Sequence, residues 1–159
     1  MESLIARFYK NMNKMNAIFV MSLSLYADFL QAGELESNLY DAIARGDYDY
    51  ASNMISKGAD VNIKHKPFNQ SPIIMAPLRG MEFVELLVEN GADVNSKDQD
   101  NTTALINACL YGNTEVAKYL ISKGAKINAK NNDDMTVIEA ALISENKRLI
   151  RYIKSQHAK

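Results

Sequence analysis

A zinc site needs several Cys, His or carboxylate ligands at short spacing, and a thiol nucleophile needs a base within reach. This chain has two histidines, His65 and His157, and one cysteine, Cys109. The histidines are far apart, and no further ligand stands near either at metal-binding spacing. Cys109 follows Leu105 and Ala108 at helix-face spacing, so it is expected to be a small core residue. A single cysteine allows no internal disulfide. Asn132, Asp133 and Asp134 form a short polar and acidic run. A calcium loop needs more oxygen ligands at fixed spacing, so a solvated turn is expected there. No glycine-rich phosphate loop, nucleophile elbow or Ser/His/Asp set can be assembled. Tyr111 and His65 by themselves do not make a haem site. The expectation is a protein without catalytic residues, metal or cofactor, whose function lies in a surface.

What positions that surface is a repeat. Gly-Ala-Asp-Val-Asn occurs at 58–62 and again at 91–95, and Gly-Ala-Lys-Ile-Asn follows at 124–128, a period of 33 residues both times. Such a period marks a stacked-repeat architecture, in which each unit buries its apolar face against its neighbours. Four units follow, at about 33–64, 65–97, 98–130 and 131–159. Ser37, Ser71, Thr103 and Thr136 precede the first apolar run of each unit and are expected as helix N-caps. Pro72 suits a first helical position, and Thr136 with Glu139 makes a capping box. One short helix per unit is expected to bury Leu39, Ala42 and Ile43; Ile73 and Ala76; Leu105, Ala108 and Cys109; and Ile138, Ala141 and Leu142. Gly46, Gly80 and Gly112 mark a turn. A second helix carries Tyr50, Ala51, Met54 and Ile55, then Phe83, Val84, Leu87 and Val88, then Val116, Ala117, Leu120 and Ile121. Gly58, Gly91 and Gly124 end those helices in the left-handed conformation. Asn62, Asn95 and Asn128 are expected to bond their own backbone in the next turn.

This pattern resembles the ankyrin repeat, from about Gly33 to the C-terminus. The family's Thr-Pro-Leu-His, Ala-Ala, Gly and Gly-Ala-Asp-Val-Asn signatures map onto the positions above. The resemblance implies an all-α solenoid of four helix-turn-helix units with β-hairpin-like loops. Departures are specific. Tyr40, Ile74, Ile106 and Glu139 stand where the family has histidine, so the inter-unit bonding of that histidine must be weaker or replaced. Unit two lacks one residue between Gly80 and Glu82 and gains one in the loop 63–70. Pro77 falls inside its first helix and is expected to disturb it. In unit four, Leu149, Ile150 and Ile153 are followed by Lys154, as suits a capping unit.

Composition agrees with one folded domain. The chain has 159 residues, 47% apolar and 23% charged, with a net charge of −1. That balance supplies no basic field for nucleic acid or anionic lipid.

Residues 1–32 differ in composition. Arg7, Lys10 and Lys14 precede an uncharged run at 15–27, whose 13 residues are fewer than the roughly 20 that span a bilayer. No stable membrane span is expected. A basic start, a short apolar core and small residues at Ala27 or Ala32 resemble a secretory signal, which would place the protein in a bacterial periplasm or outside the cell. The alternative is a helical extension covering unit one in a cytoplasmic protein.

The resemblance also implies where a partner sits: on the concave face, built from loop tips and the exposed side of each first helix. That face carries Arg45; Phe68, Gln70, Leu78 and Arg79; Asp100, Thr102, Leu110 and Tyr111; and Met135, Ile143 and Ser144. Apolar and aromatic residues grouped with Arg and Tyr have the composition of binding hot spots. The expected function is non-enzymatic binding of another protein by a monomer. The alternatives are an inhibitor or immunity-type protein blocking an enzyme, and an accessory factor for a bacterial enzyme such as catalase.

Overall fold

In the computed structural model of the chain, residues 34, 35 and 37–157 are described. The segment 1–32, with its expected signal or extension, lies outside the described residues. Helix α1 runs through 37–45. It is followed by α2 (Tyr48–Ser56), α3 (Pro72–Met75), α4 (Met81–Glu89), α5 (Ala104–Leu110), α6 (Thr114–Ser122), α7 (Val137–Ile143) and α8 (Lys147–His157). The first helices α3, α5 and α7 pack on one another in one layer. The second helices α2, α4, α6 and α8 pack in a parallel layer. This is the stacked helix-turn-helix solenoid that the 33-residue period demands.

Local chemistry sets the helix starts. Thr103 accepts from the Ile106 N–H at 3.3 Å, and Thr136 and Glu139 complete the capping box reciprocally. The second helices begin on a side-chain carbonyl or carboxylate. Asp47 accepts from Tyr50, Asn113 from Val116, and Asn146 from Arg148 and Leu149. Unit two is the exception. The residue it lacks is this cap, so Gly80 takes the capping position itself, at φ +136°. The Glu82 carboxylate lies where a side chain on residue 80 would project.

Two expected caps are corrected. Ser37 is itself helical and follows the helical residues Glu34 and Leu35, so it does not start α1. Ser71 sits at the start of α3, but its hydroxyl makes no cap. It is fully buried and bonds the Ser96 hydroxyl at 2.7 Å. Pro77 acts as expected. After α3 the chain tightens into a 3-10 turn, Ala76–Leu78, because proline has no N–H for the α pattern.

The core follows the two apolar series. Leu39, Ile43, Ile73, Leu105, Leu120, Leu149 and Ile153 are essentially fully buried. Truncating such a residue to alanine costs about 2–5 kcal/mol. Gly58, Gly91 and Gly124 hold φ of +93°, +88° and +91°, as the repeat pattern requires. Unit four corrects the apolar series at Ile138, which is half-buried, and most clearly at Leu142. Its counterparts in earlier units, Ile43, Pro77 and Cys109, are buried, but Leu142 is 48% exposed. No further helix of the described stack covers α7, so the repeat position alone does not bury it.

Candidate partner-binding surface

The loops between units are short hairpins. His65 and Gln70 exchange backbone bonds at 2.9 and 3.1 Å around the first tip. In the second, the Asp98 carboxylate accepts from Asp100 and Thr102 N–H at 3.0 and 2.8 Å. In the third, the Asn131 side chain accepts from Asp133 and Met135 at 3.1 and 2.9 Å. The run 132–134 is therefore a turn tip, with Asp134 at φ +62°. Asp134 pairs with Lys130 at 2.6 Å. That contact holds the Asp134 carboxyl below its ordinary pKa and raises the Lys130 ammonium. Among the described residues, no group of three or more His, Cys, Asp or Glu could hold a metal.

The tips are laced together. Gln99 N–H donates to the Phe68 carbonyl at 3.1 Å, and Asn132 N–H to the Asp100 carbonyl at 2.8 Å. The Asn132 amide also donates to the Gln99 carbonyl at 3.2 Å. A surface held in this way keeps its side chains in register before any ligand arrives, which lowers the ordering cost of binding.

A second lacing runs behind the tips and corrects an expectation. Asn62 and Asn95 do not bond their own turn. Each reaches the following unit, where the carboxamide both donates to a glycine carbonyl and accepts a backbone N–H. The bonds within the turn come from Asp60 and Asp93, which accept from the N–H two residues on, at 2.8 and 2.9 Å. With histidine missing from the first helices, other side chains also tie the units. Asn107 donates to the Ile74 carbonyl at 2.8 Å, and Asn146 to the Gly112 carbonyl at 2.8 Å. The Tyr40 ring stacks on His65 with centroids 4.1 Å apart, and its hydroxyl donates to Gln70 at 2.7 Å. Burial, followed by the charge of Asp41, pushes the Tyr40 hydroxyl pKa up.

Against this frame the expected surface residues separate into two kinds. Phe68, Leu78, Tyr111 and Ile143 are exposed apolar or aromatic side chains. Arg45 and Asp100 are exposed as well. Leu110, Met135 and Ser144 are half-buried, as are Gln70 and Thr102, which the hairpins already use. Arg79 and Tyr111, one repeat apart, line a common cleft of about 350 Å³ with Pro77, Leu78 and Asn113. Arg79 is not free: its guanidinium donates to the Ala44 carbonyl near the end of α1. It therefore ties units one and two together while facing the cleft. On unit four, Met135, Leu142 and Ile143 line a separate cleft with Asp133, Asp134 and Glu139.

Leu142 and Tyr48 are exposed apolar side chains absent from the expected set. Within its own unit nothing marks Leu142 as exposed, because its repeat position is a core position in the earlier units. Cys109 is fully buried, and burial pushes its pKa up to about 12, so it is a neutral thiol at physiological pH. Among the described residues, no helix is long and apolar enough to cross a membrane.

A comparison with curated proteins found no match. The family model described as ankyrin repeats (3 copies) matches residues 39–131 and 76–158. Those matches cover the four helix pairs, the glycine-ended second helices and the laced hairpins, and the chain belongs to the ankyrin repeat family.

Proposed function

We propose that this protein is a non-catalytic binding module that holds a partner protein on its first-helix face, centred on the Leu78–Arg79–Tyr111 cleft. Ankyrin repeats are generally protein-protein interaction modules. The observation that carries the location is the exposure of Tyr111 and Leu78, 57% and 43%, in a cleft that the tethered Arg79 also lines. Repeat packing does not require apolar side chains at those positions. Tyr and Arg are enriched among residues whose truncation costs 2 kcal/mol or more of binding. Phe68 at the first tip and Ile143 on α7 extend the apolar face along the stack.

The test is affinity capture from the native host with the wild-type chain and with Leu78→Ser/Tyr111→Ser, followed by calorimetric titration of the captured protein. The expected result is a partner whose affinity falls by about tenfold or more in a variant with unchanged circular dichroism. Equal affinity for both forms would move the working surface away from this cleft.

A further inference from the structure

Behind the hairpins of units three and four lies a cleft of about 610 Å³ that the expected partner surface does not include. Lys97, Lys126 and Lys130 line it, with the amides of Asn95 and Asn128 and the Thr103 side chain, and no carboxylate is among the lining residues. Of the three ammonium groups, Lys130 pairs with exposed Asp134 at the rim, and Glu139 is also close enough to be felt there. Lys97 and Lys126 take part in none of the ion pairs among the described residues. Lys64 lies one repeat before Lys97 and donates to its carbonyl, extending the line of positive charge toward unit one.

Lys126 is where the repeat departs from its own chemistry. Asp60 and Asp93 occupy this position in units one and two and accept the N–H two residues on. A lysine cannot accept, so unit three gives up that turn bond at Asn128. The backbone is unchanged in kind. Lys126 N–H is held by Asn95 at 2.8 Å, as Asp93 N–H is held by Asn62 at 2.8 Å. The substitution therefore removes a stabilising carboxylate and sets a third cation in a concave site, on a backbone fixed from the neighbouring unit. In a protein whose net charge is −1, this local excess of positive charge is a feature of the cleft and not of the whole surface.

We infer that the Lys97–Lys126–Lys130 cleft binds an acidic peptide segment of a partner protein, with carboxylates meeting the three ammonium groups and the Asn128 amide donating to a peptide carbonyl. The cleft shares no residue with the Leu78–Arg79–Tyr111 surface, so each can fail without the other. A run of two or three carboxylates suits it better than a single small anion, because the lysines come from two successive loops.

The experiment titrates a hexaglutamate peptide into the full chain by calorimetry, at an ionic strength low enough that the Debye length is on the order of 20–30 Å. Pyrophosphate is the second probe. Lys126→Asp restores the residue of the other units, and its thermal midpoint is expected to equal or exceed that of the wild type. Peptide affinity is expected to fall at least tenfold in Lys126→Asp. It should change by less than about twofold in Lys147→Asp, the same charge change on α8 outside the cleft. Lys126→Gln is the second variant, with an intermediate loss. Three results would overturn the inference: no saturable heat with the wild type, equal losses in Lys126→Asp and Lys147→Asp, or pyrophosphate binding more tightly than the peptide. The last would make the cleft a small-anion site.

Discussion

The Asn62 carboxamide donates to the Gly91 carbonyl at 3.0 Å and accepts from the Asp93 N–H at 2.8 Å. Both partners belong to the next unit, and Asn95 repeats the arrangement with Gly124 and Lys126. One side chain thus fixes the junction between two repeats by satisfying a donor and an acceptor at once. The Gly91 carbonyl lies at a helix end, where carbonyls lack intrahelical partners. In a stack, stability is approximately a sum of unit and interface contributions, so these amides act on the interface part.

Replacing Asn62 with alanine removes both bonds. Each is worth about 0.5–1.5 kcal/mol net, so a loss of about 1–3 kcal/mol is expected. Asn62→Asp keeps the acceptor and loses the donor, and its cost is expected to be smaller. Urea denaturation of the two variants checks the order. Equal midpoints for wild type and Asn62→Ala would mean that the amide does not hold the junction.

The left-handed residues give opposite predictions at two sites. Gly91 has φ +88°, and a Cβ there would meet nothing within 4 Å. The cost of Gly91→Val is therefore backbone strain alone, on the order of 1–2 kcal/mol, and more for a β-branched side chain. Glu145 holds φ +55° in the turn where the earlier units use Gly46, Gly80 and Gly112. Glu145→Gly relieves a strain of roughly 1–2 kcal/mol and adds roughly 0.5–1 kcal/mol of chain entropy cost. A net stabilisation of up to about 1.5 kcal/mol is expected. Thermal midpoints of the two variants should move in opposite directions.

Most of the helix layout was legible because glycine, proline and apolar spacing act locally. The 33-residue period, the paired apolar positions and the Thr136–Glu139 box each reflect chemistry within one unit. What escaped depends on neighbours. Asn62 and Asn95 look like turn residues, and only the stack shows that the adjacent unit presents a better-placed carbonyl and N–H. Ser71 looks like a cap until Ser96 is seen beside it in the core. Arg79 looks like a free surface arginine, yet the α1 carbonyls lie within its reach. The exposed row Leu78–Tyr111 was legible because the packing pattern left those positions unassigned.

Burial of Cys109 makes a pH prediction. Its pKa is raised from 9.0 to about 12 in the fold. Between those values the unfolded chain releases the thiol proton and the folded chain keeps it. The thiol's contribution to stability is thus fully present below pH 9 and is lost as pH rises toward 12. The slope is about 1.4 kcal/mol per pH unit at most. Cys109→Ala removes this contribution, so its stability should fall less steeply than wild type between pH 9 and 10.5, a window of roughly the first half of the shift. Parallel curves in urea titrations at the two pH values would show that the thiol is not desolvated. In native protein at pH 8, thiol reagents are expected to label Cys109 only as fast as the stack opens.

Arg79 and Tyr111 face one cleft, but single substitutions should separate what they do. Tyr111 is exposed, and its side chain makes no hydrogen bond, ring contact or ion pair among the described residues. Tyr111→Ala is therefore expected to leave stability within about 0.5 kcal/mol while weakening partner binding by about tenfold or more. Arg79→Ala deletes the bond to the Ala44 carbonyl across the unit one–two junction. A hydrogen bond from a charged donor is worth about 1.5–3 kcal/mol at most, and less at an exposed site, so a loss of about 1 kcal/mol is expected. Arg79→Lys keeps the charge but cannot reproduce the planar donor fork, so it is expected to recover only part of that stability. Denaturant midpoints alongside titration of the partner give both quantities for each variant. Unchanged stability in Arg79→Ala would free the arginine from its structural role and assign it wholly to the partner. A large stability loss in Tyr111→Ala would show that the ring supports the stack, and the cleft would then lose its claim as the binding centre.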